Sequence, residues 1–152
     1  MSGQMDFFAA LGNAPQVLAE PVIADPSAEV KYMSVYTRAE AIEDGVLKDV
    51  SELAREAGFV YPVAIELDLY ARLDPNDRDG GLGQDFTGRM WDVLTMMKGA
   101  ANRTPRTDRL HFQVVIQEVE VAAEPKMNTL DLCAVCLPGD NFEPVITVEL
   151  LR

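Results

Sequence analysis

The stretch DFTGRMWDVLTMMKGAA, residues 85–101, decides the fold, because it carries the clearest helical pattern in the chain. Asp85 stands where a side-chain oxygen can cap the start of a helix. The apolar residues recur at intervals of three and four positions and so form one broad stripe: Phe86, Met90, Val93, Leu94, Met97 and Ala101. Methionines at helical spacing are more often core than binding surface, so the pattern predicts one main amphipathic helix.

The chain after this helix alternates between apolar and polar residues, as strands do. The first strand runs from Leu110 to about Val121, the second from about Thr129 to Leu137 and the third from Pro144 to Leu151. Short turns between consecutive strands indicate an antiparallel meander, whose apolar face the helix covers. The predicted fold class is α+β, with short N-terminal helices and one main amphipathic helix packed on a C-terminal antiparallel sheet of three or more strands.

Two short helices are predicted before the main one. Thr37 with Glu40 matches a capping box, which opens the first helix. Asp49 with Glu52 matches the same device and opens the second, so that residues 46–48 are the link between them. Each helix is too short to be stable without tertiary packing.

Residues 59–73 fit both a half-buried strand and a helix. We expect an extended entry through residues 62–65, followed by a helix from about Glu66 to Leu73.

The chain divides into an N-terminal arm, residues 1–30, and a single α+β domain, residues 31–152. The total length of 152 residues is that of one domain. Prolines at positions 15, 21 and 26 deny the arm regular backbone pairing. The apolar stretch Phe7–Leu11 predicts a brief helix, which either packs onto the body or contacts a partner or a second copy of the chain.

Cys133 and Cys136 form a C-x-x-C pair within the second C-terminal strand. A separation of three positions puts two strand side chains on opposite faces of a sheet. The chain has no second Cys pair and no His pair to complete a zinc site. We therefore predict no metal site, with one cysteine in the core and the other near the surface.

The sequence contains no recognisable catalytic site. His111 is its single histidine, and neither a nucleophile elbow nor a P-loop is present. Residues 74–81 lack the EF-hand spacing and are typical of a solvated loop rather than a cation site. Glu66 and Asp68 leave acid–base chemistry open as an alternative if they are buried. The sequence favours a protein that is not an enzyme, with no catalytic residue and no cofactor.

The charge of the chain limits its partners. Twenty-five acidic residues against thirteen basic ones give a net charge of −12, which repels nucleic acid and anionic membranes and attracts basic proteins. No apolar run approaches the roughly 20 residues that span a bilayer, and the N-terminus lacks the basic region of a signal peptide. We expect a cytoplasmic protein that contacts neither nucleic acid nor membrane directly.

The predicted partner-binding surface is the acidic first half of the chain. Thr37 to Asp85 contains twelve acids and five bases, a net charge of −7. Carboxylates along helix faces can stand in for phosphates before Lys and Arg side chains. A solvated face that confers only solubility explains the same charge, so both interpretations stay open. The predicted residues are Glu40, Glu43, Asp44, Asp49, Glu52, Glu56, Asp74, Asp77 and Asp79.

Several segments share a pattern with other proteins: residues 35–47 (VYTRAEAIEDGVL), 49–59 (DVSELAREAGF), 61–64, 83–94, and 138–140 with 143–147. Through them the chain resembles a family of uncharacterised small acidic proteins carried by plasmids and phages, a domain of unknown function. The resemblance covers about residues 35–150 and leaves the arm outside. It implies a mobile-element context and no particular activity.

Charge and context together lead to one hypothesis. The chain is expected to be a non-enzymatic acidic binding protein of a mobile genetic element. It would inhibit a host defence complex, of the anti-CRISPR or anti-restriction type, by occupying a nucleic-acid-binding surface. The expected partner is a basic nucleic-acid-binding protein of the host, a defence nuclease or surveillance complex, and a second copy of the chain is a further candidate. The alternatives are an accessory or structural protein of the plasmid or phage, in replication or in the virion, and a hydrolase or transferase with an unrecognised site.

Overall fold

A computed structural model describes residues 7–12, 36–75, 85–118 and 124–151. The helices in these ranges are α1 (Phe7–Ala10), α2 (Arg38–Glu43), α3 (Ser51–Glu56), α4 (Leu67–Leu73) and α5 (Phe86–Arg103). The strands are β1 (Leu47–Asp49), β2 (Val63–Glu66), β3 (Arg109–Glu118), β4 (Lys126–Pro138) and β5 (Pro144–Leu150).

The strands form one mixed sheet in the order β1-β2-β5-β4-β3. Strands β3, β4 and β5 form the antiparallel meander that the alternation predicted. Strand β2 pairs with β5 in parallel, with Val63 opposite Ile146, and β1 pairs with β2 antiparallel. The α+β prediction is confirmed. The sheet is larger than its C-terminal part and partly parallel, because the first half of the chain adds two strands to it.

Helix α5 covers one face of this sheet, which we call the inner face. Met90, Val93, Leu94 and Met97 are fully buried there and pack with the apolar residues of β3 to β5 in one core. The carboxylate of Asp85 accepts a hydrogen bond from the backbone N–H of the third residue of the helix at 2.6 Å, which confirms the predicted cap. None of the described helices is long and apolar enough to cross a membrane.

The two predicted capping boxes have different outcomes. The Thr37 hydroxyl accepts from the N–H of Glu40 at 3.1 Å, and the Glu40 carboxylate accepts from the N–H of Thr37 at 2.8 Å, so the first box is confirmed. The second is wrong, because Asp49 is the last residue of β1 and α3 begins after Val50. The Asp49 carboxylate accepts instead from the N–H and the hydroxyl of Ser51.

The segment between α2 and α3 is also a correction. Residues 46–48 were predicted to be a link, but Leu47 and Lys48 lie in strand β1, where Leu47 is opposite Glu66. Periodicity cannot reveal a strand of three residues, because so short a segment fits any pattern. The extended entry and the helix predicted within residues 62–73 are confirmed as β2 and α4.

The outer face of the sheet, opposite α5, is partly covered by α2. Thr147 alternates with the core residues Ile146 and Val148, so its side chain points to the outer face. The Arg38 guanidinium at the start of α2 donates to the Thr147 hydroxyl at 2.6 Å. Four buried residues that are not part of the main core lie on this side: Ala41, Ala64, Cys133 and Val145.

Cys133 and Cys136 lie on opposite faces of β4, as predicted, and form no disulfide. Both are buried, so the expectation that one of them lies near the surface is wrong. Cys136 belongs to the main core. Cys133 is covered because it lies in the middle of the sheet between His111 on β3 and Glu149 on β5. The Arg109 side chain also approaches its sulfur at 3.9 Å.

The brief helix predicted at the N-terminus is α1, and it packs onto the body. Phe7 is fully buried in the main core. Its N–H donates to the carbonyl of Thr107 at 3.2 Å, and the carbonyl of Ala10 accepts from the N–H of Val60 at 2.7 Å. The division into an arm of residues 1–30 and a domain of residues 31–152 stays a prediction, since most of the arm lies outside the described residues.

Candidate functional site: an acidic rim around strand β1

Most of the predicted partner-binding residues flank strand β1, which is an edge of the sheet. Helix α2 precedes β1 and packs against it from the outer side, and α3 follows β1 and buries its apolar residues in the main core on the inner side. The acidic side chains therefore lie on both sides of the sheet edge, on the outer side at α2 and on the inner side at α3. We call this set the acidic rim: Glu40, Glu43, Asp44, Asp49, Glu52 and Glu56.

Helix α2 is held to the sheet by Arg38. Besides the Thr147 hydroxyl, the guanidinium donates to the carbonyl of Ile146 at 2.7 Å. Burial lowers the pKa of Arg38, and the negative charges of Asp49, Asp140 and Glu143 oppose that shift. The Arg38 side chain therefore binds the sheet and holds α2 in place, and it does not project toward a partner.

The rim residues on α2 are exposed but differ in their contacts. Glu40 closes the capping box with Thr37. Asp44 accepts a hydrogen bond from the Tyr36 hydroxyl at 2.8 Å, and this bond raises the pKa of Tyr36. Glu43 accepts no hydrogen bond from any described residue. All three carboxylates carry charge without a basic partner in the described part of the chain.

The rim residues of β1 and α3 line a shallow cleft of about 290 Å³. Its remaining lining residues are mostly apolar and come from α3, the residue before it and the first turn of α5: Val50, Leu53, Phe86 and Thr87. Glu52 and Glu56 lie one turn apart on α3 and so project from the same side of the helix. The cleft joins an apolar floor to a carboxylate edge, which suits a side chain with an apolar stem and a cationic end.

Several basic side chains near the core are engaged with backbone carbonyl oxygens: Arg38 with Ile146, Arg89 with Leu73 (3.4 Å) and Gln117, and Lys98 with Ala57 (3.2 Å). Lys48 lies 5.3 Å from the centre of the Tyr70 ring. Among the residues that the structure describes, one ion pair is present, Arg72–Glu118 at 3.0 Å. The charge of the acidic rim is therefore not cancelled by ion pairs within the described residues.

The other predicted residues are not part of the rim. Asp74 follows α4. This helix begins next to β1, where the N–H of Leu67 donates to the carbonyl of Val46. Asp74 is exposed and lies at the other end of this helix, about 10 Å from its start. Asp77 and Asp79 lie outside the described residues.

A second cleft, of about 420 Å³, lies on the outer face around His111, Gln113, Asp131 and Leu151. Within this cleft, the Asp131 carboxylate accepts a hydrogen bond from the Gln113 side-chain amide at 2.6 Å. The described residues contain no group of three His, Cys, Asp or Glu side chains arranged to hold a metal ion.

The carboxylates considered for acid–base chemistry differ in their surroundings. Glu66 is half-buried and accepts from the N–H of Leu150 at 2.7 Å, whereas Asp68 is exposed. The two side chains therefore do not share one buried environment.

Asp140 and Glu143 are functional candidates that the sequence did not single out. They lie in the turn between β4 and β5, beside the N-terminus of α2, and their charges act on Arg38. A short turn between the second and third C-terminal strands was predicted. Its position could not be, because the turn and α2 are about a hundred positions apart.

Residues 24–151 match the model of one protein family, described as a family of unknown function (DUF6573). No curated protein and no solved structure matches the chain. Because the function of this family is unknown, the match does not identify an activity for the chain.

Proposed function

This chain belongs to the family of unknown function DUF6573, so we propose its function from its own surface. The proposed function is that of a non-enzymatic binding protein that presents the acidic rim to a basic partner in the cytoplasm. The rim occupies a surface on which that partner binds nucleic acid. In a plasmid or phage context, the partner is a host defence nuclease or surveillance complex, and the result is inhibition of the anti-CRISPR or anti-restriction type.

The observation that carries the proposal is the engagement of basic side chains with carbonyl oxygens. A chain of net charge −12 lowers its own electrostatic repulsion when lysines and arginines pair with carboxylates. Here Arg38 and Lys98 stabilise the fold through backbone contacts instead. The rim carboxylates are left to act on a partner.

The spacing of the rim supports recognition of a row of cations. Glu43 and Asp44 follow Glu40 by three and four positions, on α2 and at its C-cap, and Glu56 follows Glu52 by four positions on α3. Such residues have Cβ atoms about 5–6 Å apart on one helix side. The rim thus offers rows of carboxylates on both sides of β1 to the lysines and arginines of a nucleic-acid channel.

The cleft at α3 supports a contact with a single long cationic side chain. A lysine or arginine from the partner can lay its carbon stem on Leu53 and Phe86 while its charged end reaches Glu52 or Glu56. The ring of Phe86 adds a cation–π contribution in that position. A flat solvated surface would not provide such a binding position for a cationic side chain.

The proposal is tested by competition against DNA. A purified restriction endonuclease and a purified CRISPR surveillance complex are each mixed with fluorescent target DNA, and DNA binding and cleavage are measured as the acidic protein is added. We expect the wild-type protein to displace DNA from one of the two enzymes. Its inhibition constant should increase as salt is raised, because salt screens the charges that attract the partner. The triple variant Glu43→Lys, Asp44→Lys and Glu56→Lys should lose inhibition and remain folded.

A matched control separates the rim from total charge. The variant Asp92→Lys, Asp108→Lys and Glu124→Lys carries the same change in net charge on exposed residues outside α2, β1 and α3. It should inhibit nearly as well as the wild type. Equal loss of inhibition in both triple variants would make the effect one of overall charge. Inhibition that the rim variant retains, or no inhibition of either enzyme, would reject the proposal and favour an accessory or structural role in the plasmid or phage.

A further inference from the structure

Among the strands that the structure describes, β3 is the other edge of the sheet and pairs with β4 alone. The N–H of Cys136 donates to the carbonyl of Asp108 at 2.8 Å, which fixes the even-numbered residues of β3 as those that bond to β4. The N–H and C=O groups of the odd-numbered residues consequently point away from the sheet. An edge of this kind is a template for pairing with another strand.

Both ends of this edge are closed by side chains. At one end, the Thr107 hydroxyl accepts from the N–H of Arg109 at 3.2 Å and donates to its carbonyl at 2.8 Å. At the other end, the buried Arg89 guanidinium donates to the carbonyl of Gln117. Between them, the outward N–H and C=O groups of His111, Gln113 and Val115 bond to no other described residue. We call these three residues the open window.

We propose that the open window pairs with the same window of a second copy of the chain. A two-fold axis through Gln113 places His111 opposite Val115 of the second copy and Gln113 opposite its own equivalent. In this antiparallel register all three N–H groups of each copy meet carbonyl groups of the other. Pairing then stops at both ends, because Thr107 already binds the N–H and the carbonyl of Arg109, and Arg89 already binds the carbonyl of Gln117.

The distribution of charge favours a second copy at this edge. Two molecules of net charge −12 repel each other, yet Arg109–Gln117 contains no carboxylate. Among the described residues, the carboxylate that faces the window across β3 and β4 is Asp131, opposite Gln113. Across the two-fold axis the two Asp131 side chains are separated by three strand spacings, about 14 Å, which exceeds the Debye length of about 8 Å at physiological salt.

Apolar contacts on the outer face complete the interface. Val115 is 48% exposed in the single chain. In the proposed register it lies beside His111 of the second copy, which lines the outer-face cleft. The pairing removes part of the apolar surface of Val115 from water.

The experiment is sedimentation of the full chain over a range of concentrations. The average mass should rise from 16.7 kDa toward twice that value as the concentration reaches hundreds of micromolar. Gln113→Glu places two carboxylates directly opposite each other at the axis and should raise the dissociation constant by up to about fivefold. Thr129→Glu adds the same charge to β4 outside the window and should change it far less.

A backbone variant tests the pairing without charge. Gln113→Pro removes an N–H that points away from β4, so the sheet within one chain keeps its own hydrogen bonds. The variant should remain folded by circular dichroism and lose dimerisation. A mass of 16.7 kDa at every concentration would overturn the proposal. A dimer that neither Gln113 variant weakens would overturn it as well, since its interface would lie elsewhere.

Salt distinguishes this interface from the acidic rim. Added salt screens the repulsion between two negative copies, so dimerisation should strengthen as salt rises. Binding of a basic partner to the rim should weaken under the same change. Failure of either proposal can therefore be seen without the other.

Discussion

Asp140 holds the N-terminus of the helix that begins at Arg38, 102 positions earlier in the chain. One carboxylate oxygen accepts from the N–H of Arg38 at 2.8 Å, and the other accepts from the N–H of Ala39 at 2.9 Å. The Thr37 hydroxyl takes the next N–H along the helix. The first turn of α2 is therefore bonded by one local side chain and one distant one, which makes a helix of six residues stable in place.

Replacement of Asp140 should loosen α2. In Asp140→Ala, the N–H groups of Arg38 and Ala39 lose their acceptor, and we expect the free energy of unfolding to fall by about 1–2 kcal/mol. Asp140→Asn keeps an oxygen acceptor and should lose less. Urea denaturation of the three proteins measures the difference. If Asp140→Ala unfolds at the same urea concentration as the wild type, the carboxylate does not anchor the helix.

Phe142→Gly should stabilise the protein. Phe142 has φ = 62°, a left-handed backbone conformation that costs a non-glycine residue roughly 1–2 kcal/mol. Its side chain is 80% exposed, so little packing is lost with the ring. Glycine is more flexible in the unfolded chain, which leaves a net gain of about 0.5–1 kcal/mol. A thermal melt should show a higher midpoint. A lower midpoint would mean that the ring packs against the body.

Leu94→Ala should be strongly destabilising. Leu94 is fully buried between α5 and the sheet, so the change removes apolar contacts and leaves a cavity that costs about 2–5 kcal/mol. Met96→Ala on the same helix is the matched control, because Met96 is 41% exposed and outside the core. Chemical denaturation compares the two. Similar small losses for both variants would contradict the assignment of α5 to the core.

The stability of the protein should fall at alkaline pH through Cys133. Burial raises the pKa of its thiol above the ordinary value of 9.0, with Arg109 opposing the shift and Glu149 adding to it. The folded protein holds this proton more tightly than the unfolded chain does. The associated stability is present below pH 9 and is lost as pH rises from 9 through the pKa of the folded state. Cys133→Ala should have a flatter dependence of unfolding free energy on pH between 8 and about 11. An unchanged slope would show that other groups control it.

Helix α5 and strands β3 to β5 could be predicted because their signals are local. The stripe from Met90 to Met97 and the alternation from Leu110 to Ile116 each lie within one element. The pairing of β2 with β5 could not be predicted, because it joins Val63 to Ile146 and no periodic pattern encodes a partner so distant. The capping of α2 by Asp140 could not be predicted for the same reason, since the two are about a hundred positions apart.

The role of the candidate site stays a prediction. A count of charges along the chain selected the acidic residues of the rim, since acids and bases are visible in the sequence. It could not show that Arg38 and Lys98 bind carbonyl oxygens, or that Phe86 lines the same cleft as Glu52 and Glu56. Those facts depend on the packing of separate elements.

The position of β5 at the centre of the sheet affects how the chain folds during synthesis. This strand follows every other strand in sequence, yet it joins β2 to β4. A ribosome therefore delivers the β1–β2 pair and the β3–β4 hairpin before the strand that connects them. Until Pro144–Leu150 leaves the exit tunnel, Val63 and Leu132 lack their neighbours, and the nascent chain exposes apolar surface that chaperones recognise.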